Sequence, residues 1–375
     1  MASDPYPRLA RHLDRLPGGF PPTESGVELR ILRRLFTEDE ARLAVALTVI
    51  PEEARVVARR AGLSLEEAQS RLDALAGRGL AFSLRPRKAP PRYMAAQFVI
   101  GIWEYHVNDL DPELVKDVNE YIPHLFDPDT WKKAPQLRTV PVGRSVVPEN
   151  AILAHEEAEV LVRSQRTILV APCICRREHK IAGKGCDRPE EACLVFGAAA
   201  DYYERNGLGR RIGIDEAVWI LRRADETGLV LQPSNARHPV NICCCCGCCC
   251  QILKNIARHP RPAALVSAPF VAVFDPAACS GCAVCEGRCP MGALSVAHDV
   301  ARFDPERCIG CGLCVSTCPA GALRLSRKPE GEQPPVPRTV TEAALRLGRA
   351  RGTLTPSRLA WTVLRSKLDR LLAAR

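Results

Sequence analysis

Nineteen cysteines in a chain of 375 residues are the first chemistry to account for. They fall in four clumps, at 173–193, 243–250, 279–289 and 308–318, and nowhere else. Secreted disulfide proteins are short and spread their cysteines along the chain, whereas dense clumps in a long chain point to metal-binding thiolates. The last two clumps are alike. Cys279, Cys282, Cys285 and Cys289 are followed by Pro290, and Cys308, Cys311, Cys314 and Cys318 repeat the same spacing before Pro319. Three thiolates two residues apart can wrap one cube of iron and sulfide from a tight loop, and the longer last step with its proline turns the fourth thiolate away. Zinc sites instead pair two CxxC knuckles across a longer gap. Gly281, Gly287, Gly310 and Gly312 let backbone amides approach the sulfides.

An internal repeat frames these loops. Phe274-Asp275-Pro276 recurs as Phe303-Asp304-Pro305, and Cys279 recurs as Cys308. Residues 270–325 closely resemble the bacterial two-[4Fe–4S] ferredoxin family and depart from its pattern at no ligand. The resemblance implies two [4Fe–4S] clusters with crossed ligation, because the fourth cysteine of each run serves the other cluster. One cluster then takes Cys279, Cys282, Cys285 and Cys318, and the other Cys308, Cys311, Cys314 and Cys289. It also implies clusters close enough for fast electron hopping.

Eleven cysteines remain. Cys173, Cys175, Cys186 and Cys193 follow a short apolar strand, Thr167 to Ala171, and a second run reads Cys243-Cys244-Cys245-Cys246-Gly247-Cys248-Cys249-Cys250. Successive side chains of an extended segment face opposite ways, so Cys243 to Cys246 cannot all serve one centre. Either two centres are served, or some thiols are spectators or resolving groups. The expected ligands are Cys173, Cys175, Cys186, Cys193, Cys243, Cys245, Cys246, Cys248, Cys249 and Cys250, holding one or more additional iron–sulfur clusters. A structural zinc site and a redox thiol pair are the alternatives. Arg176, Arg177 and Lys184 would offset thiolate charge and lower thiol pKa values. His179 and His238 flank the clumps and are expected to hydrogen-bond or lie at the surface. The arrangement resembles multi-cluster iron–sulfur proteins of anaerobes and does not match the CCG pattern of heterodisulfide reductases.

The elements that must position these groups suggest an α+β multidomain chain. After an N-terminal extension (1–26), apolar spacing predicts helices at 29–36, from Thr37, over 51–61 and over 65–77. Thr37 and Ser64 are the expected N-caps, Ser64 with Glu67 as a capping box. Leu65, Ala68, Leu72 and Leu75 are expected inward. Leu80, Phe82 and Leu84 alternate, and after a basic Pro-rich turn a return strand runs from Tyr93 to Phe98. This order over 27–100 resembles a winged-helix domain. A connector (101–150) leads to a cysteine-rich α/β domain (151–265), with helices expected at 151–163, 215–225 and 251–259 and strands at 167–171 and 228–232. The ferredoxin-like domain (270–325) follows. Residues 326–375 form an extended linker (328–337) and a basic tail with eleven Lys/Arg against four acids. Its last helix carries an apolar stripe of Leu364, Leu368, Leu371 and Leu372, ringed by Arg358, Arg365, Lys367 and Arg370, which reads as a docking device for a partner protein or membrane surface.

The formal charge of +9 belongs mostly to that tail. The opening residues show no export signal, no apolar run spans a membrane, and the thiols suit a reducing cytoplasm. Gly207-Leu-Gly209-Arg-Arg-Ile-Gly213 misses the dinucleotide fingerprint in spacing and has no strand before it, and neither a phosphate loop nor Gly-x-Ser-x-Gly occurs. The reading is an electron-transfer protein, a subunit or relay of a larger cytoplasmic oxidoreductase, with redox proteins as donor and acceptor. The alternatives are a redox-sensing winged-helix regulator and a reductase with its active site in the middle domain. Against nucleic acid, the candidate recognition helix presents Glu66, Glu67 and Asp73 with only Arg71, where DNA binding needs several cations.

Overall fold

The computed structural model describes residues 4–146 and 153–373. It is a mixed α/β structure with several small sheets, and its contacts divide it into two units: Met1–Leu125, Asp201–Leu208 and Ala344–Arg375 make the first, Phe126–Ala200 and Gly209–Ala343 the second.

The first unit begins with helices Tyr6–Asp14, Val27–Leu35 and Glu38–Ala44. Thr37 accepts the Glu40 amide, and the Glu40 carboxylate accepts the Thr37 amide at 2.8 Å, a closed capping box. Strand β1 (Glu52–Glu53) and helices Ala54–Ala61 and Leu65–Gly77 follow, then β2 (Ala81–Leu84) and β3 (Arg92–Ala95). The three strands pair antiparallel in the order β1-β3-β2. The helix expected over 51–61 therefore starts three residues late, because Glu52 and Glu53 are spent pairing with Tyr93 and Arg92. Ser64 caps the next helix through the Glu67 amide, but Leu65 faces solvent at 50% exposure and the core side is Ala68, Leu72, Leu75 and Ala76. In β2 Ala81 and Ser83 are buried, while Phe82 is half-buried against the Tyr202 ring.

The C-terminal helix Pro356–Leu372 belongs to this unit, capped by Thr355. Ser366 donates to Glu52 at 2.6 Å, and Asp369 pairs with Arg60 at 2.9 Å, so its polar side is the packed side. The leucine stripe points outward, with Leu371 82% exposed.

The second unit is built on five antiparallel strands in the order β6-β4-β5-β8-β7: β4 (Ile168–Pro172), β5 (Glu191–Phe196), β6 (Arg210–Arg211), β7 (Val230–Pro233) and β8 (Asn241–Cys245). Helices Ala158–Arg163 and Ile214–Glu226 bury Leu161, Val162, Val218 and Leu221 against Val170, Leu194 and Val230. The helix expected from 151 is a 3-10 turn, Ala154–Glu156, and then Ala158–Arg163; Ala151 and Ile152 lie outside the described residues. Two further ladders follow: β9 (Phe270–Phe274) with β12 (Leu323–Arg327), and β10 (Leu294–Ala297) with β11 (Val300–Phe303). Met291, Ile309 and Leu313 from this part share the core of the five-stranded sheet. Residues 328–337, expected as an extended linker, hold a turn at Glu330–Glu332, and the Pro337 and Arg338 carbonyls accept the amides of Arg237 and His238.

Candidate metal centres

The two similar loops are structural copies. Asp275 caps the turn Pro276–Ala278 and Asp304 caps Pro305–Arg307, each by accepting the amide two residues on. Gly281 and Gly310 both have left-handed backbones, at φ +68° and +66°. Neither has room for a side chain: a Cβ would lie 2.3 Å from the Asp299 carbonyl oxygen at one and 2.2 Å from that of Phe270 at the other. The next matching pair, Ala283 and Gly312, is also left-handed.

A cavity lined by Cys279, Cys282, Cys285 and Cys318 is walled by Phe274, Val296, Ala301 and Leu323. The other four thiols form their own neighbourhood. Cys289 accepts the Ala293 amide at 3.2 Å and Cys308 the Ala272 amide at 3.4 Å. Burial pushes the Cys311 thiol well up, and the facing Cys314, Cys289 and Cys308 add to it; Cys314 is pushed up to about 12 by burial and by Cys308 and Cys289. Such thiols ionise when metal takes the proton's place. Cys285 also faces Cys314, so the two groups adjoin.

The middle cysteines separate into two groups. Strand β8 puts Cys243 and Cys245 on one face, and Cys193 of β5 pairs directly with Cys243. Cys173 stands at the N-cap position of helix Ile174–Ile181 and Cys250 at that of helix Gln251–Arg258, helix N-termini that favour thiolate. The result is a chain of six sulfurs in which each reaches the next: Cys173, Cys175, Cys250, Cys245, Cys243 and Cys193. Their mutual hydrogen bonds hold Cys175 and Cys245 well above the ordinary thiol value, and Cys250 and Cys243 well below it.

Arg176 is fully buried beside this group. Its Nη2 donates to the Cys244 carbonyl at 2.6 Å, while Nε and Nη1 have no hydrogen-bond partner. Burial works against its charge, yet the surrounding Cys173, Cys246, Cys245 and Cys244 hold the guanidinium above its ordinary pKa. Two orphaned donors on a buried cation are costly unless an anion faces them, and a thiolate-bound iron–sulfur cluster is such an anion. The residues present fit that group.

The second group is Cys186, Cys246, Cys248 and Cys249, whose sulfurs all lie within 4.8 Å of one another. Cys244 joins neither group; it is buried in the sheet core. Gly247 lies against Pro290, where a Cβ would come within 2.9 Å of the proline Cβ, so the middle cysteine run abuts the residue after Cys289.

Arg177 instead pairs with Glu190. His179 stands outside the thiol groups, meeting Lys254 at 3.0 Å and Glu178 at 3.3 Å, and Gln251 donates to the buried Glu178 at 2.7 Å. This layer locks together the two helices whose starts carry Cys173 and Cys250. His238 is occupied through its backbone beside Thr339. Sequence reasoning missed Asp225, a buried carboxylate that takes Arg144 at 2.8 Å, Ser316 at 2.7 Å and Arg288 at 3.4 Å and so seats the loop of Cys285 and Cys289.

No helix is long and apolar enough to cross a membrane. No curated protein and no solved structure matches the chain. Among family models, that of the 4Fe-4S binding domain matches residues 301–324, which contain the loop Cys308 to Cys318, so the chain is an iron–sulfur protein with at least one [4Fe–4S] cluster.

Proposed function

We propose that this chain is an electron relay. Two [4Fe–4S] clusters sit on the paired loops with crossed ligation, and a further polynuclear centre sits in the six-thiol group beside Arg176. The observation that carries the reading is the contact of Gly247 with Pro290. It sets the middle cysteine run one residue from Cys289, so electrons entering one half have a short path to the other. Cysteine ligands and nearly balanced surroundings favour low potentials within the wide range open to such clusters. The chain then serves as a subunit or relay of a larger oxidoreductase, between donor and acceptor proteins.

In the first unit, the order helix, strand, two helices and a β2–β3 hairpin, with strands in the order β1-β3-β2, supports a winged-helix reading. Asp73 on the candidate recognition helix pairs with Arg85 of the wing at 2.6 Å and accepts from Tyr93 at 2.6 Å. That pairing removes a cation that phosphate contacts would need, which favours protein docking over DNA.

The test is an anaerobic redox titration of the full chain followed by EPR, together with a DNA-binding assay. Coupled low-potential signals without sequence-selective DNA binding are expected. DNA binding that switches with cluster state would transfer the case to a regulator, and rapid turnover of a metabolite by the isolated chain would transfer it to a reductase.

A further inference from the structure

The two middle groups of thiols differ in size, and size discriminates between metals. A single tetrahedral ion bound at about 2.3 Å by four thiolates holds neighbouring sulfurs about 3.8 Å apart. A cube of four irons puts each thiolate on a different corner and spreads them well beyond that. In the second group Cys186 lies 3.7 Å from Cys249 and 4.0 Å from Cys246, and Cys248 lies 3.8 Å from Cys249. The paired loops provide an internal comparison: among the described residues, Cys186, Cys246, Cys248 and Cys249 are the group of thiols closed to 4.8 Å, and no set from Cys279 to Cys318 reaches that spacing.

We infer that Cys186, Cys246, Cys248 and Cys249 hold one tetrahedral divalent ion, zinc or ferrous iron, in a site separate from the iron–sulfur clusters. Four thiolates close the coordination sphere, as in structural zinc sites. Arg188 supplies the outer support, donating to Cys248 Sγ at 3.4 Å and to the Thr227 carbonyl at 3.0 Å. The ion ties the segment between helix Ile174–Ile181 and β5 to the turn after β8, and so fixes Gly247 where it meets Pro290. This inference meets the relay reading at that one contact, and otherwise concerns which thiols hold a cluster and which a lone ion.

The experiment uses the full chain made anaerobically. Zinc and iron are counted, and X-ray absorption is read at the edge of the non-cluster metal. Cys248→Ser is compared with wild type because Cys248 is exposed and its loss leaves the core intact; Cys244→Ala, outside both groups, is the control. The expected result is one ion per chain beyond the cluster irons, with a sulfur-only shell at about 2.3 Å and no metal–metal vector at the zinc edge, or the Mössbauer signature of a high-spin ferrous tetrathiolate where the ion is iron. In Cys248→Ser that ion exchanges into a chelator at least ten-fold faster, while the cluster EPR is unchanged. Zinc at that edge assigns a clamp, and a lone iron assigns a one-electron site; either supports the single-ion centre. A cobalt(II)-exchanged sample adds a second readout, tetrahedral thiolate absorption that Cys248→Ser loses. Loss of about four irons with their sulfide in Cys248→Ser alone, or a chelator exchange rate unmoved by that variant, overturns it.

Discussion

Glycine-to-alanine changes in the paired loops separate two costs that the structure assigns to different positions. At Gly287 the added Cβ meets nothing within 4 Å and φ is not left-handed, so the change should be neutral or stabilise by up to about 1 kcal/mol through helix propensity. At Gly321 the space is open but φ is +66°, so only the left-handed conformation counts, about 1–2 kcal/mol. At Gly310 the same φ is joined by a Cβ placed 2.2 Å from the Phe270 oxygen and 2.9 Å from its carbonyl carbon, both backbone atoms of β9. Relief requires β9 or the Cys308–Cys311 loop to move by about 1 Å. Added to the conformational cost, that should come to at least 3 kcal/mol, a large share of the ~5–15 kcal/mol by which domains are stable. Because Cys308 accepts the Ala272 amide from the same strand, cluster loading should fall with stability. The assay is thermal unfolding with an iron count under anaerobic conditions. The expected order of stability is Gly287→Ala, then Gly321→Ala, then Gly310→Ala, with iron lost in the last. A Gly310→Ala protein that melts like wild type and keeps its full iron would refute the argument that backbone approach shapes this loop.

Cys289→Ser should remove the EPR signal of the cluster on Cys308, Cys311 and Cys314 and spare the other; loss of only the Cys279–Cys285 cluster would defeat crossed ligation. Arg176→Met removes a buried cation from among Cys173, Cys244, Cys245 and Cys246, so the potential of the adjacent centre should drop, on the order of 100 mV, in a redox titration. Burial depresses His12 to about 4, so the protonated form is favoured in the unfolded chain; stability is full above about 6.5 and falls by up to about 3 kcal/mol as pH drops to 4. Amide exchange of helix Tyr6–Asp14 should show that loss in wild type, and His12→Leu should abolish the slope. On the exposed stripe, Leu368→Glu should shift melting by no more than about 0.5 kcal/mol yet weaken docking of a partner in a pull-down or of anionic vesicles in a flotation assay. Deleting the whole tail is the poorer test, because it strips Ser366 and Asp369 from Glu52 and Arg60.

Local rules were legible in the sequence. Thr37 and Ser64 cap helices as their side chains dictate, and the repeated Phe-Asp-Pro and cysteine spacing became matching turns with matching left-handed positions. The alternation of the cysteine run predicted that Cys243 and Cys246 would part, and β8 sends them to different groups. What the pattern could not supply was pairing across distance. Glu52 and Glu53 read as the start of a helix until Tyr93 and Arg92 offer them a ladder. Phe82 belongs to an alternating run, but the aromatic partner that half-covers it, Tyr202, is more than a hundred residues away. The tail looked free because the groups that hold it, Glu52 and Arg60, are three hundred residues upstream. The division of ten thiols into an open group of six and a tight group of four likewise depends on where loop 182–190 folds back.

If one chain carries a relay of iron–sulfur centres, an anaerobic EPR-monitored titration of the intact protein will show it. About 8 irons are expected in the paired loops plus those of the six-thiol centre, with low-potential signals broadened by spin coupling between neighbouring centres. A single isolated cluster signal, with the six middle thiols free to react with alkylating reagents, would contradict it.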